Sequence, residues 1–244
     1  MAESFAFNMD CMVAMKDFHD KFFDLAVVDP PYGINADNFK NGAGATKNGG
    51  KMYESSAVKI KKLEHGCGKL KNRILNQSDC SWDSSPPPKE YFDELFRVCQ
   101  NCVIWGGNYF DLPPTRGIIV WDKLQPWDNF SQVELAWTSF DRPAALFKMC
   151  NTMPGKIHPT QKPVALYAWI YQKYAKPGMK ILDTHLGSGS SRIAAYDANL
   201  DFWGYEINKT YFDLQEERFV KHSSQLNLFL DGDEQSLNIG QKKN

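Results

Sequence analysis

Short apolar or aromatic runs recur along this chain, separated by segments with helical periodicity, and that alternation limits the fold more than any other feature. The runs are Phe5-Ala6-Phe7, Phe23 to Val28, Cys102 to Trp105, Ile118 to Trp121, Val133 to Thr138, Lys180 to Leu182 and Asp201 to Tyr205. Between them, Pro86-Pro87-Pro88 opens a helix with Phe92, Leu95, Phe96 and Cys99 on one face, and Pro163 opens another with Leu166, Tyr167, Ile170 and Tyr174 facing inward. Strands alternating with sheet-covering helices predict an α/β fold, a doubly wound Rossmann-like sheet that is mostly parallel. Because Arg142-Pro143 follows it closely, the Val133 to Thr138 run is expected to be an antiparallel hairpin strand at the sheet edge.

With 244 residues, 43% hydrophobic and 23% charged, the chain can bury one large core. A single domain over residues 1–230 is expected, followed by a polar, frayed tail over 231–244. Six scattered cysteines, with no signal-peptide pattern and no long apolar run, predict a cytoplasmic chain with reduced thiols and no membrane partner. Cys99 and Cys102 have no second ligand pair at zinc spacing, so no metal is expected. Net charge is -1, so affinity for a polyanion has to be local. Lys40, Lys47, Lys51, Lys59, Lys61, Lys62, Lys69, Lys71 and Arg73 face only Asp37, Glu54 and Glu64 within one glycine-rich stretch. Residues 35–79 therefore read either as a basic insertion that orders on a phosphate backbone or as a solvated loop.

Ile181 to Ala194 has the grammar of a buried strand, a small-residue turn through Gly187-Ser188-Gly189, and a helix starting near Ser190. Such a turn lets backbone approach a ligand and aims helix amides at it. A second strand ends in Gly204-Tyr205-Glu206, which places a carboxylate where it can accept hydrogen bonds from a ribose diol; the competing reading is a glutamate that caps the next helix. The turn lacks both the third glycine and the lysine-hydroxyl pair of phosphate sites, so a nucleoside without a phosphate linker is expected. S-adenosylmethionine is such a molecule.

Phe23 to Val28 runs directly into Asp29-Pro30-Pro31-Tyr32. Two prolines stiffen this loop at a strand's C-terminal end, the edge where open α/β sheets bind ligands. An exocyclic amine is a poor nucleophile because its lone pair is delocalised into the ring. Asp29, helped by the Pro30 carbonyl, can accept the amine hydrogens and turn the lone pair towards an electrophilic methyl. Tyr32 can stack on a base extruded from a duplex.

These residues resemble the amino-methyltransferases of DNA, whose hallmark is Asp/Asn/Ser-Pro-Pro-aromatic. The catalytic motif precedes the glycine turn, as in the circularly permuted β class, and the resemblance runs from Asn8 to about Arg218. Asp10 looks like the acid that meets the cofactor's adenine. His158-Pro159-Thr160-Gln161-Lys162-Pro163 is similar to the segment beside the methionine moiety, and Trp105 to Phe110 to one lining the target-base pocket. The resemblance implies catalysis by Asp29, Pro30, Pro31 and Tyr32. It implies cofactor binding by Asp10, Asp29, His158, Thr160, Gln161, Lys162, Asp183, Gly187, Ser188, Gly189, Ser190 and Glu206, with Lys162 and Thr160 approaching the cofactor carboxylate.

It further implies S-adenosylmethionine as donor and S-adenosylhomocysteine as product, double-stranded DNA as partner, and a homodimer. The bacterial or phage setting, within restriction-modification or outside it, stays open. One departure stands out: the family commonly has Pro-Phe after the strand's acid, whereas this chain has Thr184-His185. The expected activity is N6 methylation of adenine, since the family tends to carry Asp for adenine and Ser for cytosine at the position of Asp29. N4-cytosine methylation, an RNA or protein-glutamine methyltransferase, and an inactive DNA-binding homologue are the alternatives. Base reading is expected from 35–79 and from the segment around Lys123 to Ser131.

Overall fold

The computed structural model describes residues 2–34, 81–125, 131–151 and 153–239, with side chains as far as Gln225. By its internal contacts the chain divides into two units, one of Met1–Pro30 and Pro87–Asn244 and a second of Pro31–Pro86. The basic stretch at 35–79 lies outside the described residues, as do 126–130 of the second expected base-reading segment.

In the first unit the elements are β1 (Ser4–Phe7), α1 (Cys11–Met15), β2 (Phe23–Val28), α2 (Lys89–Val98), β3 (Cys99–Trp105), β4 (Ile118–Asp122), β5 (Val133–Thr138), β6 (Ala145–Lys148), α3 (Val164–Tyr174), β7 (Lys180–Asp183), α4 (Ser190–Asp197), β8 (Asp201–Tyr205) and α5 (Lys209–Ile239). The described strands form one sheet in the order β1-β8-β7-β2-β3-β5-β4-β6. Pairing is parallel except where β5 meets β3 and β4.

Three sequence expectations need correction. β5 is antiparallel and forms the hairpin with β4, but it lies inside the sheet between β3 and β4. The edge is β6, which pairs parallel to β4 in the register Ile119↔Ala145. At four residues, so close to Pro143, β6 carries too little pattern to be read as a strand. Cys99, expected on the apolar face of α2, is instead the first residue of β3, and the buried face of the helix is Tyr91, Phe92, Leu95 and Val98. The backbone is helical through Asp231 to Ile239, where composition suggests a frayed tail; with no proline after Lys209, nothing in the sequence breaks the helix outright.

The core lies under the central parallel strands. Phe23, Ala26 and Val28 of β2, Cys102 and Ile104 of β3 and Leu182 of β7 pack with Tyr91, Leu95 and Val98 of α2. Each large side chain removed from water contributes about 2 kcal/mol, which holds these strand tips to a common edge. Pairing of Ala26 with Leu182 and of Asp183 with Gly204 brings the C-terminal ends of β2, β7 and β8 side by side. β5 runs the other way, so its first residues arrive at the edge where β3 and β4 finish.

Candidate active site at the C-terminal edge of the sheet

Asp29 follows the last residue of β2 and points its carboxylate at Lys162, whose Nζ donates to Oδ2 at 2.5 Å. The lysine side chain is 3% exposed, too little for water to keep it charged, so the neighbouring carboxylates decide its state. Burial pushes the Lys162 ammonium down, but Asp29 and Glu134 reverse this and hold it above its ordinary value. Glu134 Oε2 lies 3.2 Å from Lys162 Nζ, and Glu134 Oε1 lies 2.5 Å from Lys123 Nζ. Burial likewise pushes the Glu134 carboxyl up, and the two lysines more than offset it, leaving it below the usual range. The Lys162 ammonium also sits 5.2 Å from the centre of the buried Trp105 ring.

On the adjacent strand tips, Asp183 and Glu206 complete a group of carboxylates. Asp183 is buried at the end of β7, accepts from Ser191 Oγ, and accepts from the His185 amide at 3.1 Å. Burial raises its carboxyl to about 7, and the charges of Asp29 and Glu206 add to that rise. Glu206 Oε2 accepts from the Gly187 amide and Oε1 from the Asn208 amide, both at 2.8 Å. It thus joins the glycine turn to the β8 tip and also makes the backbone contact that the capping reading anticipates. Burial raises its carboxyl as well.

The turn itself is held from several sides. Gly187 and Gly189 have φ of +52° and +69°, a region that L side chains rarely adopt. Arg218 Nη1 donates to the Ser188 carbonyl at 2.6 Å and to Ser190 Oγ at 3.0 Å. Thr184 and His185, which stand where the family has Pro-Phe, belong to a hydrogen-bond chain: Tyr91 Oη to Thr184 Oγ1 at 2.6 Å and Thr184 Oγ1 to His185 Nδ1 at 2.9 Å. Burial lowers His185 to about 4, so the ring is neutral at physiological pH. This chain of bonds supplies the anchoring that the missing proline would otherwise give.

Of the remaining expected cofactor residues, His158 lies buried against Gly187 and edge-on to Tyr211, with ring centroids 4.3 Å apart. Burial, with the nearby Lys162 charge, lowers it to about 3. Thr160 Oγ1 is 3.1 Å from His158 Nδ1, and Gln161 Oε1 accepts from the Ile157 amide, so both brace their own loop. Asp10 caps α1 by accepting from the Met12 amide at 2.8 Å. In the second unit, the Tyr32 and Gly33 amides donate to Asp83 Oδ1 at 2.8 and 3.0 Å, which anchors the end of the Pro-Pro-Tyr turn.

Glu134 was not among the expected site residues, and Lys123 was expected only in a base-reading segment, whereas here it is buried and paired with Glu134. The available signal was an acid on the same parity as Ala136 and Thr138, both fully buried. The large apolar residues of β5, Val133, Leu135 and Trp137, sit on the other parity, so alternation alone points to the wrong face.

The arrangement is a sheet edge carrying four carboxylates, Asp29, Glu134, Asp183 and Glu206, and two buried lysines, Lys123 and Lys162, suited to a cationic nucleoside ligand and to an acceptor for amine hydrogens. A family model described as a DNA methylase of the N6/N4 type matches residues 120–217, a span that includes Lys162, Asp183 and Glu206. The chain is 22% identical over 242 residues to the type II methyltransferase M2.MboI of Moraxella bovis, covering 86% of this chain and 85% of that protein. It is 26% identical over 146 residues to the type II methyltransferase M2.DpnII of Streptococcus pneumoniae, covering 60% and 51%. Among solved structures, an M1.HpyAVI-SAM complex matches with a TM-score of 0.55 at 18% identity, covering 89% of this chain and 100% of that one. The cytosine-N4-specific PvuII DNA methyltransferase matches with a TM-score of 0.55 at 12% identity, covering 95% and 94%; these two likenesses speak for the fold. The DNA methylase match over residues 120–217 and the similarity to type II methyltransferases support an N6-adenine/N4-cytosine DNA methyltransferase.

Proposed function

We propose that this protein methylates the exocyclic N6 amine of adenine in duplex DNA, with S-adenosylmethionine as donor. The observation that carries the proposal is Asp29, a carboxylate held at a strand tip beside Asp183 and Glu206 and followed at once by Pro30-Pro31-Tyr32. The residues fit the donor. Glu206 and the glycine turn offer acceptors and close backbone for a ribose, and the carboxylates at the β2, β7 and β8 tips favour a ligand with a cationic ammonium and sulfonium. Bound there, S-adenosylmethionine supplies an electrophilic methyl group.

The chain's own residues do the rest. Asp29 and the Pro30 carbonyl accept the amine hydrogens, which orients the nitrogen lone pair, and Tyr32 stacks on the flipped base. Lys162 was expected at the cofactor carboxylate; its bond to Asp29 gives it the additional task of fixing the acceptor. Adenine is preferred over cytosine because Asp occupies the first motif position. Docking of the basic 35–79 stretch on phosphates, a cytoplasmic location and a homodimer complete the proposal.

The test is methyl transfer from tritiated S-adenosylmethionine to mixed-sequence duplex DNA. Wild type is expected to label the DNA. Asp29→Ala should lower the rate at least about a hundredfold, the scale of losing a positioned acceptor. Wild type without transfer or cofactor binding would overturn the proposal.

A further inference from the structure

A buried row of alternating charges crosses the sheet edge. Lys123 follows β4, Glu134 is the second residue of β5, Lys162 precedes α3 and Asp29 follows β2. Lys123 and Glu134 come from one hairpin, Lys162 and Asp29 from distant parts of the chain, and they meet because antiparallel β5 begins at the edge where the parallel strands end. The two lysine side chains are 10% and 3% exposed, and the Glu134 side chain is 23% exposed. A buried ion pair gains little stability over a well-packed apolar pair of the same size, so stability alone is a poor reason for such a row. One end of the row is the catalytic carboxylate.

We propose that Glu134 is a positioning residue for methyl transfer: Glu134 and Asp29 together hold the one Lys162 ammonium, so the lysine stays charged in a buried place and fixes the Asp29 carboxylate that receives the target amine. The inference rests on the methyltransferase reading of Asp29 and deepens it. Without Glu134, Lys162 would lose one of the two carboxylates that face it among the described residues. It would then give up its proton more readily, and Asp29 would lose its anchor. Other groups facing this lysine are Lys123 beyond Glu134, His158 on its own segment and the Trp105 ring beneath it. His158 is neutral across the working range, and Lys123 disfavours a second ammonium nearby, so among the described residues Glu134 and Asp29 are the carboxylates that favour a charged Lys162.

The experiment compares wild type, Glu134→Gln and Glu134→Asp in the same tritium assay from about pH 6 to 10, with cofactor affinity and Tm measured alongside. Glu134→Gln should bind S-adenosylmethionine within about threefold of wild type, lose roughly tenfold or more in kcat, and show an alkaline fall in activity at lower pH than wild type. Glu134→Asp keeps the charge and should return the alkaline limb to its wild-type position with partial recovery of kcat. If Glu134→Gln does not fold, the double variant Lys123→Met/Glu134→Met removes the outer pair without leaving a lone charge and should show the same loss and the same shift. Wild-type kcat and pH profile in Glu134→Gln or in the double variant would overturn the proposal, and so would failure of both of these to fold, which would assign the row to stability alone. Wild type that transfers no methyl group would instead overturn the methyltransferase reading, a result separate from either of these.

Discussion

Asp183 holds its proton up to about 7 in the folded chain because burial opposes the charge and Asp29 and Glu206 reinforce that opposition. In the unfolded chain the same carboxyl ionises near 3.8. A raised acid of this kind costs stability as pH climbs through the window between those values, and the cost is complete above about 7. Asp183→Asn removes the cost, so its Tm relative to wild type should become more favourable by several degrees between pH 5 and pH 8 in thermal melts. A Tm difference that does not change with pH would contradict this assignment. The two buried histidines act in the opposite direction: His158 and His185 stay neutral in the fold and lose stability as pH drops below 6.5 towards about 3 and 4. Taking the variant minus wild type cancels them. At this scale, the sequence made Asp29, Lys162, Asp183 and Glu206 legible as residue types in motifs, but not their pairing. Lys162 and Asp29 are 133 positions apart, and which partner a buried lysine finds depends on strand order. Glu134 belongs to no motif and became visible only through the register of β5.

The strand-turn-helix of β7 and α4 depends on glycine at two positions, and its tolerance can be separated from general backbone strain. Gly189 caps α4 with φ of +69°, and a Cβ there would meet Gln215 Oε1 at 3.0 Å and Gln215 Cβ at 3.1 Å. Gly178, in the turn before β7, has φ of +81° and open space around it. Gly178→Ala should cost about 1 kcal/mol through left-handed strain alone and leave cofactor affinity unchanged. Gly189→Ala adds crowding against α5 and displacement of the turn, and should cost about 2–3 kcal/mol and weaken cofactor binding roughly tenfold. Chemical denaturation and a cofactor titration measure both; equal losses in stability and unchanged affinity would show that the turn does not shape the site. The turn was readable because small residues after a buried strand have few other uses. The sheet's far side was less so. The buried parity of β5 carries Glu134 with the small Ala136 and Thr138, so the large apolar residues on the other parity point to the wrong face. Four-residue β6, Ala145-Leu146-Phe147-Lys148, alternates in exposure but not in apolar and polar residue type.

For the whole molecule, chain order and spatial order differ in an informative way. The acid-Pro-Pro-aromatic segment comes early in the sequence and the glycine turn late, yet β2 and β7 are direct neighbours, so the proposed methyl-accepting and cofactor-holding ends share one edge. The architecture places Asp29 beside Asp183 and Glu206; the proposed choice of base rests on the Asp at the motif's first position. The most direct test is therefore chemical identification of the modified base: genomic DNA from a host expressing the protein, sequenced by a method that distinguishes N6-methyladenine from N4-methylcytosine, with an Asp29→Ala host as control. The account predicts N6-methyladenine confined to a defined sequence and missing from the control. N4-methylcytosine at such sites, or DNA indistinguishable between the two hosts, would contradict it.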